Sequence, residues 1–270
     1  MQLHLVRHGQ TRWNAERRIQ GQLDSALDET GRAQARALRP GLAALGIGAI
    51  YCSSSGRTRE TLELALPSPP APPRFRDELR EIRLGVWQGR LWDEVRRESP
   101  GQVESLRAAR ADFAVEGAES YVELQRRGVE AIERIVAEAA ATVVLVVSHG
   151  ALIKTVLARY AGHPLATLSE LPPLPNCSRS TIETDGAHRR VTLVAGEDPA
   201  TGPWGGVLQA GRGPGVEPRP AVRHRPRWSA DASGGTAKAV VTPRPRPAPH
   251  ARRTVERVAR AGLPYSPFTV

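Results

Sequence analysis

Two histidine–glycine pairs stand out in the chain, Arg7-His8-Gly9 near its start and Ser148-His149-Gly150 far along it. An imidazole beside a guanidinium suits phosphate chemistry. A ring nitrogen can attack phosphorus while the arginine fork binds the oxygens. Glycine after the histidine lets the backbone approach a ligand closely. Taken singly, each tripeptide reads as well as a solvated or structural feature, because short motifs match by accident. Two such pairs, each at the end of an apolar run, are a stronger signal. Ser53-Ser54-Ser55-Gly56-Arg57-Thr58 adds a second arginine in the first turn of a helix, where Arg57 alone would be an ordinary surface residue. Leu79-Arg80-Glu81-Ile82-Arg83-Leu84 adds a carboxyl group, Glu81, flanked by apolar residues. Desolvation would raise its pKa and suit it to donate a proton to a leaving oxygen, while nearby arginines pull the other way. The plain alternative is an ordinary loop glutamate.

These residues need elements to hold them. Gln2–Val6 and Ala49–Cys52 read as short strands, and Thr142–Val147 as a strand buried on both faces of a parallel sheet. Glu29–Leu45 reads as a helix closed by Gly46, and Gly56–Leu66 as one stopped by Pro67. Helical spacing is also present over Ser120–Ala141 and Ala151–Tyr160. Thr181–Thr184 and Arg190–Ala195, around Asp185-Gly186, read as a closing hairpin. Alternating strands and helices imply a three-layer α/β/α fold with a mostly parallel central sheet. His8, Arg57 and His149 then fall beyond the carboxyl ends of strands, where such sheets bind ligands. The helix after His149 also begins there, and a helix N-terminus favours anions.

The chain carries 38 Lys and Arg against 28 Asp and Glu, a formal +10 with a pI near 10.8. That balance invites a nucleic-acid reading until the charge is located. Residues 1–197 hold 26 basic and 24 acidic residues, and 198–270 hold 12 and 4, so the excess sits in the tail. Arginine outnumbers lysine 36 to 2, a compositional bias more than a functional one. The tail has 12 Pro and 9 Gly with few large apolar residues, so 198–270 is expected to be disordered beyond the 1–197 domain. A short helix at Val255–Ala261 is the one weak element there. Its one tryptophan pair, Trp204 and Trp228, is too sparse for an aromatic stacking platform, and nucleic-acid binding by the tail is not expected. No apolar run reaches the about 20 residues of a membrane span, and the start lacks an export signal, so the expectation is a cytoplasmic protein without membrane contact. Cys52 and Cys177 are too far apart for a metal knuckle or a disulfide framework, and no metal or cofactor is expected.

In order, these pieces resemble the histidine phosphatase superfamily, in its phosphoglycerate mutase-like branch. The resemblance covers about residues 2–195. It rests on Arg7-His8-Gly9, Arg57 in its Ser-x-x-x-Arg segment, Glu81 in Leu-Arg-Glu, and Ser148-His149-Gly150. Asn14, Gln20-Gly21-Gln22-Leu23-Asp24, Gly31 with Gln34, and Asn176-Cys177-Ser178 add to it. The resemblance implies that His8 is the nucleophile that becomes phosphohistidine. It further implies a phosphate pocket of Arg7, Arg57 and His149, a proton donor at Glu81, and no metal. Thr11, Asn14, Gln20, Gly21 and Gly150 are the implied substrate contacts.

The chain departs from the family at Ser54-Ser55, often Asp-Leu, and at Gly117-Ala118-Glu119-Ser120, often Gly-Gly-Glu-Ser. These departures bear on substrate contacts. The proline-rich stretch 67–73 is expected to alter the mouth of the site. The compact segment between Gly89 and Thr142 favours water reaching the phosphoenzyme, hence a phosphomonoesterase acting on a small phosphorylated metabolite. Two short segments are similar to glucosyl-3-phosphoglycerate phosphatases. A phosphoglycerate mutase-type phosphotransferase is the alternative, and a tail-mediated or phospho-ligand binding protein the third reading. A homodimer is compatible with all of them.

Overall fold

The computed structural model describes residues 1–198. In chain order its elements begin with β1 (Gln2–Arg7), α1 (Arg12–Ala15), α2 (Glu29–Ala37), α3 (Arg39–Ala43), β2 (Ala49–Ser53), α4 (Gly56–Ala65) and β3 (Arg74–Arg76). They continue with α5 (Trp92–Glu98), α6 (Pro100–Arg107), α7 (Tyr121–Glu138), β4 (Val143–Ser148), α8 (Gly150–Tyr160), β5 (Arg179–Thr184) and β6 (Arg189–Leu193). The strands form one six-stranded sheet in the order β3-β2-β4-β1-β5-β6. The first four are mutually parallel, β5 pairs antiparallel with β1, and β6 pairs antiparallel with β5.

Side chains alternate across this sheet, and both faces are covered. Leu3, Leu5, Val144 and Val146 pack with Leu124 and Ile132 of α7 and Leu152 and Val156 of α8. Val6, Ile50, Leu145 and Val147 pack on the opposite face with Leu42 and Leu62. Burial on both faces is why β4 has no polar alternation. The result is the expected three-layer α/β/α arrangement with a mostly parallel sheet. The Ser120 side chain caps α7, accepting from the Glu123 amide at 3.2 Å while the Glu123 carboxylate accepts from the Ser120 amide at 2.7 Å. Further along α7, a β-carbon on Gly128 would lie 2.9 Å from Val156 Cγ2 and 3.3 Å from Leu152 Cγ. Its absence lets α7 and α8 close on each other.

Three features differ from expectation. The helix expected over Glu29–Leu45 is two helices, because Pro40, in the first turn of α3, has no N–H to continue the ladder from α2. β3 was expected as no strand at all. It is a three-residue edge whose Arg74 and Arg76 guanidinia lie over the Tyr51 ring at 5.5 and 5.7 Å. The proline-rich stretch 67–73 feeds the amino end of β3, which is parallel to β2, so it enters the sheet at the end opposite the carboxyl ends of the parallel strands. The expectation that it shapes the mouth of a site there is therefore corrected. The segment 198–270 expected to be disordered, and the short helix expected at Val255–Ala261, lie outside the described residues apart from Asp198. No helix among the described residues is long and apolar enough to cross a membrane.

Candidate active site

Because β1, β2 and β4 are parallel neighbours, their carboxyl ends meet on one rim. Arg7 is in register with Ser148, and Cys52 with Val147. The residues that follow these strands are thereby brought together. His8 and His149 lie edge to face with ring centroids 5.3 Å apart.

His8 is 2% exposed, and its Nδ1 lies 2.8 Å from the Gly9 carbonyl. A carbonyl only accepts, so Nδ1 carries the proton and Nε2 keeps its lone pair. Burial, reinforced by the Arg57 and Arg7 charges, holds the His8 pKa well below the usual histidine value. The ring is thus a neutral imidazole with a nucleophilic nitrogen. Its loop is braced from behind. The Gly9 amide donates to Thr61 Oγ1 at 3.0 Å, and that hydroxyl donates to the Arg57 carbonyl at 2.7 Å.

Arg7 and Arg57 are both fully buried. Arg7 spends Nη1 on the Leu174 carbonyl, while its Nε and Nη2 meet no protein acceptor. Burial pushes its pKa down to about 10, against the pull of Glu81, so it remains a cation at neutral pH. Arg57 donates to the Leu23 carbonyl at 2.7 Å, to Asp24 Oδ1 at 2.9 Å and to the Gly21 carbonyl at 2.8 Å. Its Nε has no protein partner. Burial lowers the Arg57 pKa and Asp24 opposes the shift.

His149 Nε2 lies 2.8 Å from Ser53 Oγ, and its buried Nδ1 has no protein partner. With the Ser53 hydroxyl donating to Nε2, Nδ1 bears the proton. Burial first, then Arg57, holds the His149 pKa well below its usual value. Several buried donors of Arg7, Arg57 and His149 thus share one need, and a tetrahedral oxyanion is the acceptor that satisfies it.

Glu81 is 3% exposed, as its apolar flanks imply. Its Oε1 accepts from the Ile82 amide at 2.9 Å and the Leu152 amide at 3.2 Å, and its Oε2 from the Ala151 amide at 3.1 Å. The carboxylate therefore seats on the first turn of α8. Oε2, with one donor against two, keeps the room for a transferred proton. Gln20, Gly21 and Arg18 line the same pocket as His8, Arg57 and Glu81, and Ile19, Leu84 and Trp92 supply an apolar wall.

Of the remaining expected contacts, Gly150 opens α8 directly behind His149. Thr11 and Asn14 face each other across the start of α1. The Asn14 amide donates to Thr11 Oγ1 and the Thr11 amide to Asn14 Oδ1, each at 3.1 Å. Asn14 reaches the centre through Asn176, whose Nδ2 donates to the His8 carbonyl at 3.0 Å. Sequence reasoning passed over Ser53, the last residue of β2, although its place on the rim was visible. It also passed over Arg127, the guanidinium paired with Glu119, although Glu119 itself lies in the Gly117-Ala118-Glu119-Ser120 stretch. Among the described residues no cluster of three or more His, Cys, Asp or Glu could hold a metal ion, and Cys52 and Cys177 are buried free thiols.

Comparison with known proteins places this geometry. The model of the histidine phosphatase superfamily (branch 1) matches residues 3–196. A probable phosphoglycerate mutase, GpmB, of Salmonella paratyphi B is 36% identical over 183 residues, covering 68% of this chain and 85% of its own. The structure of YhfR from Bacillus stearothermophilus is 37% identical with a TM-score of 0.69, covering 73% of this chain and 98% of that one. A mycobacterial glucosyl-3-phosphoglycerate phosphatase, solved with VO3, is 28% identical with a TM-score of 0.65, covering 73% of this chain and 99% of its own.

Proposed function

The chain belongs to the histidine phosphatase superfamily and is a phosphatase of that type, and on this premise we propose that it hydrolyses a small phosphomonoester, without a metal, through a phosphohistidine at His8. The observation that carries the reading is the His8 tautomer. Nδ1 is tied to the Gly9 carbonyl, and Nε2 is the nitrogen left to attack. The attack forms an N–P bond as the bond from phosphorus to the leaving oxygen breaks. Arg7, Arg57 and His149 bind the three equatorial oxygens and offset the charge they carry. Glu81 gives its proton to the departing alkoxide. Its carboxylate then takes a proton from water as the water oxygen attacks phosphorus, and the N–P bond breaks to return a neutral imidazole. Gln20, Gly21, Thr11, Asn14 and Gly150 are the proposed substrate-side contacts.

The kinship with a probable phosphoglycerate mutase favours one second reading, transfer from phosphohistidine to a phosphoglycerate instead of water. One experiment separates them. Brief incubation with a 32P-labelled ester should trap acid-labile, base-stable label on the wild-type chain and none on His8→Ala, with inorganic phosphate as the product. Isomerised phosphoglycerate without free phosphate would establish the second reading. Absence of trapped label, or full turnover by His8→Ala, would overturn both.

A further inference from the structure

Glu81 sits outside the sheet, between a 3-10 turn at Asp77–Leu79 and another at Gly85–Trp87, in a stretch bridged to Ala118 at Leu84. Its backbone is gripped instead by one side chain of α7. Arg127 Nη1 donates to the Glu78 and Arg80 carbonyls, both at 2.8 Å, and Nη2 to the Glu81 carbonyl at 3.2 Å. The remaining two N–H groups go to Glu119, Nη2 to Oε1 at 2.6 Å and Nε to Oε2 at 3.3 Å. Five donors thus meet five acceptors, which exhausts the guanidinium and leaves nothing of Arg127 for substrate.

Glu119 completes the grip. It is 5% exposed, its Oε1 also accepts from the Arg83 amide at 2.8 Å, and its own amide donates to the Arg83 carbonyl at 2.8 Å. The pair therefore fastens Glu78, Arg80, Glu81 and Arg83 to the start of α7. Glu81 is held at both ends, by Arg127 at its carbonyl and by the α8 amides at its carboxylate. With every N–H of Arg127 taken by these partners, its direct hold on the site is through the backbone of Glu81 and its neighbours.

We propose that Arg127 and Glu119 are positioning residues for the proton transfer by Glu81, setting where its carboxyl group stands relative to the leaving oxygen. The proposal rests on the acid role given to Glu81 above. Loss of the pair leaves the Glu78 and Arg80 carbonyls without their donor and the Glu81 carbonyl with Gln22 Nε2 alone, and lets the segment drift. A drift of about 1 Å is enough to cost about 100-fold in a step that depends on alignment. In the step that forms phosphohistidine, only esters that need the proton should feel it, whereas the second step, in which Glu81 takes a proton from water, is common to all esters.

The test compares an alkyl phosphate with 2,4-dinitrophenyl phosphate, whose leaving group departs without a proton. In Arg127→Met, kcat/KM, which covers the steps up to phosphohistidine and release of the alcohol, should fall about 100-fold for the alkyl ester and about threefold at most for the dinitrophenyl ester. Arg127→Lys should recover part of the loss, and in a Glu81→Gln background Arg127→Met should add almost nothing to the ester preference. Glu119→Gln gives the same readout where Arg127→Met does not fold, since it keeps the side-chain volume. An equal fall in kcat/KM for both esters, or losses that add to those of Glu81→Gln, would overturn the positioning role. If Glu81→Gln alone shows no ester preference, the acid role itself is what fails.

Discussion

The Ser53 hydroxyl stands 2.8 Å from His149 Nε2, and this contact engages one nitrogen of the ring while the other, Nδ1, is buried without a protein partner. Ser53 ends β2 and His149 follows β4, so the hydrogen bond joins neighbouring strands at their last residues. It is an orienting contact, because His149 Nδ1 is the buried donor without a protein partner.

Ser53→Ala should lower kcat/KM about tenfold and weaken inhibition by inorganic phosphate by a similar factor, the worth of one buried hydrogen bond. Melting temperature should change little, since the hydroxyl is small and lies at a strand end. Unchanged phosphate inhibition would show that His149 is oriented without Ser53.

Acid should destabilise the fold before the carboxylates titrate. His4, His8 and His149 are buried, and burial lowers each pKa, that of His4 to about 4. Unfolded histidines titrate near pH 6.5. Between that value and the folded pKa, the unfolded chain binds protons that the folded chain refuses, so stability is present above pH 6.5 and falls as pH drops. Each ring contributes a slope of about 1.4 kcal/mol per pH unit. Urea midpoints in phosphate-free buffer should therefore decline steadily from pH 6.5 to 5, and a flat profile over that window would refute the account.

Gly31→Ala should damage the site from a distance. A β-carbon there would collide with the Gln10 carbonyl and lie 2.7 Å from the Gln10 amide, while Gly9 packs on the other side of the same contact, its absent Cβ 2.6 Å from the Gly31 carbonyl. The backbone after His8 cannot yield without moving His8. Destabilisation of about 1–3 kcal/mol is expected, with a drop in phosphoenzyme formation that cooling does not restore. Wild-type burst amplitude in the variant would show that the loop relaxes freely.

Much of this was legible in residue order because the informative groups sit at strand ends. A strand buried on both faces announces itself as an unbroken apolar run, and β4 did so, which located His149. Arg57 was legible through the serine-rich turn that ends β2. By contrast β3, three residues of Arg-Phe-Arg on a sheet edge, carries no period long enough to read. The helices α5 and α6 were also missed, in a segment read only as compact. Arg127 was invisible for another reason. Its partners are main-chain carbonyls, and a carbonyl acceptor has no residue type to search for.

Gly128 follows Arg127 on α7, at the point where that helix presses on Leu152 and Val156 of α8. Glu81 takes its carbonyl contact from one of these helices and its carboxylate contacts from the other. The gap between the two helices is therefore also the length over which one glutamate is stretched. A hydrogen atom in place of a methyl group, well away from the phosphate, sets the reach of the acid.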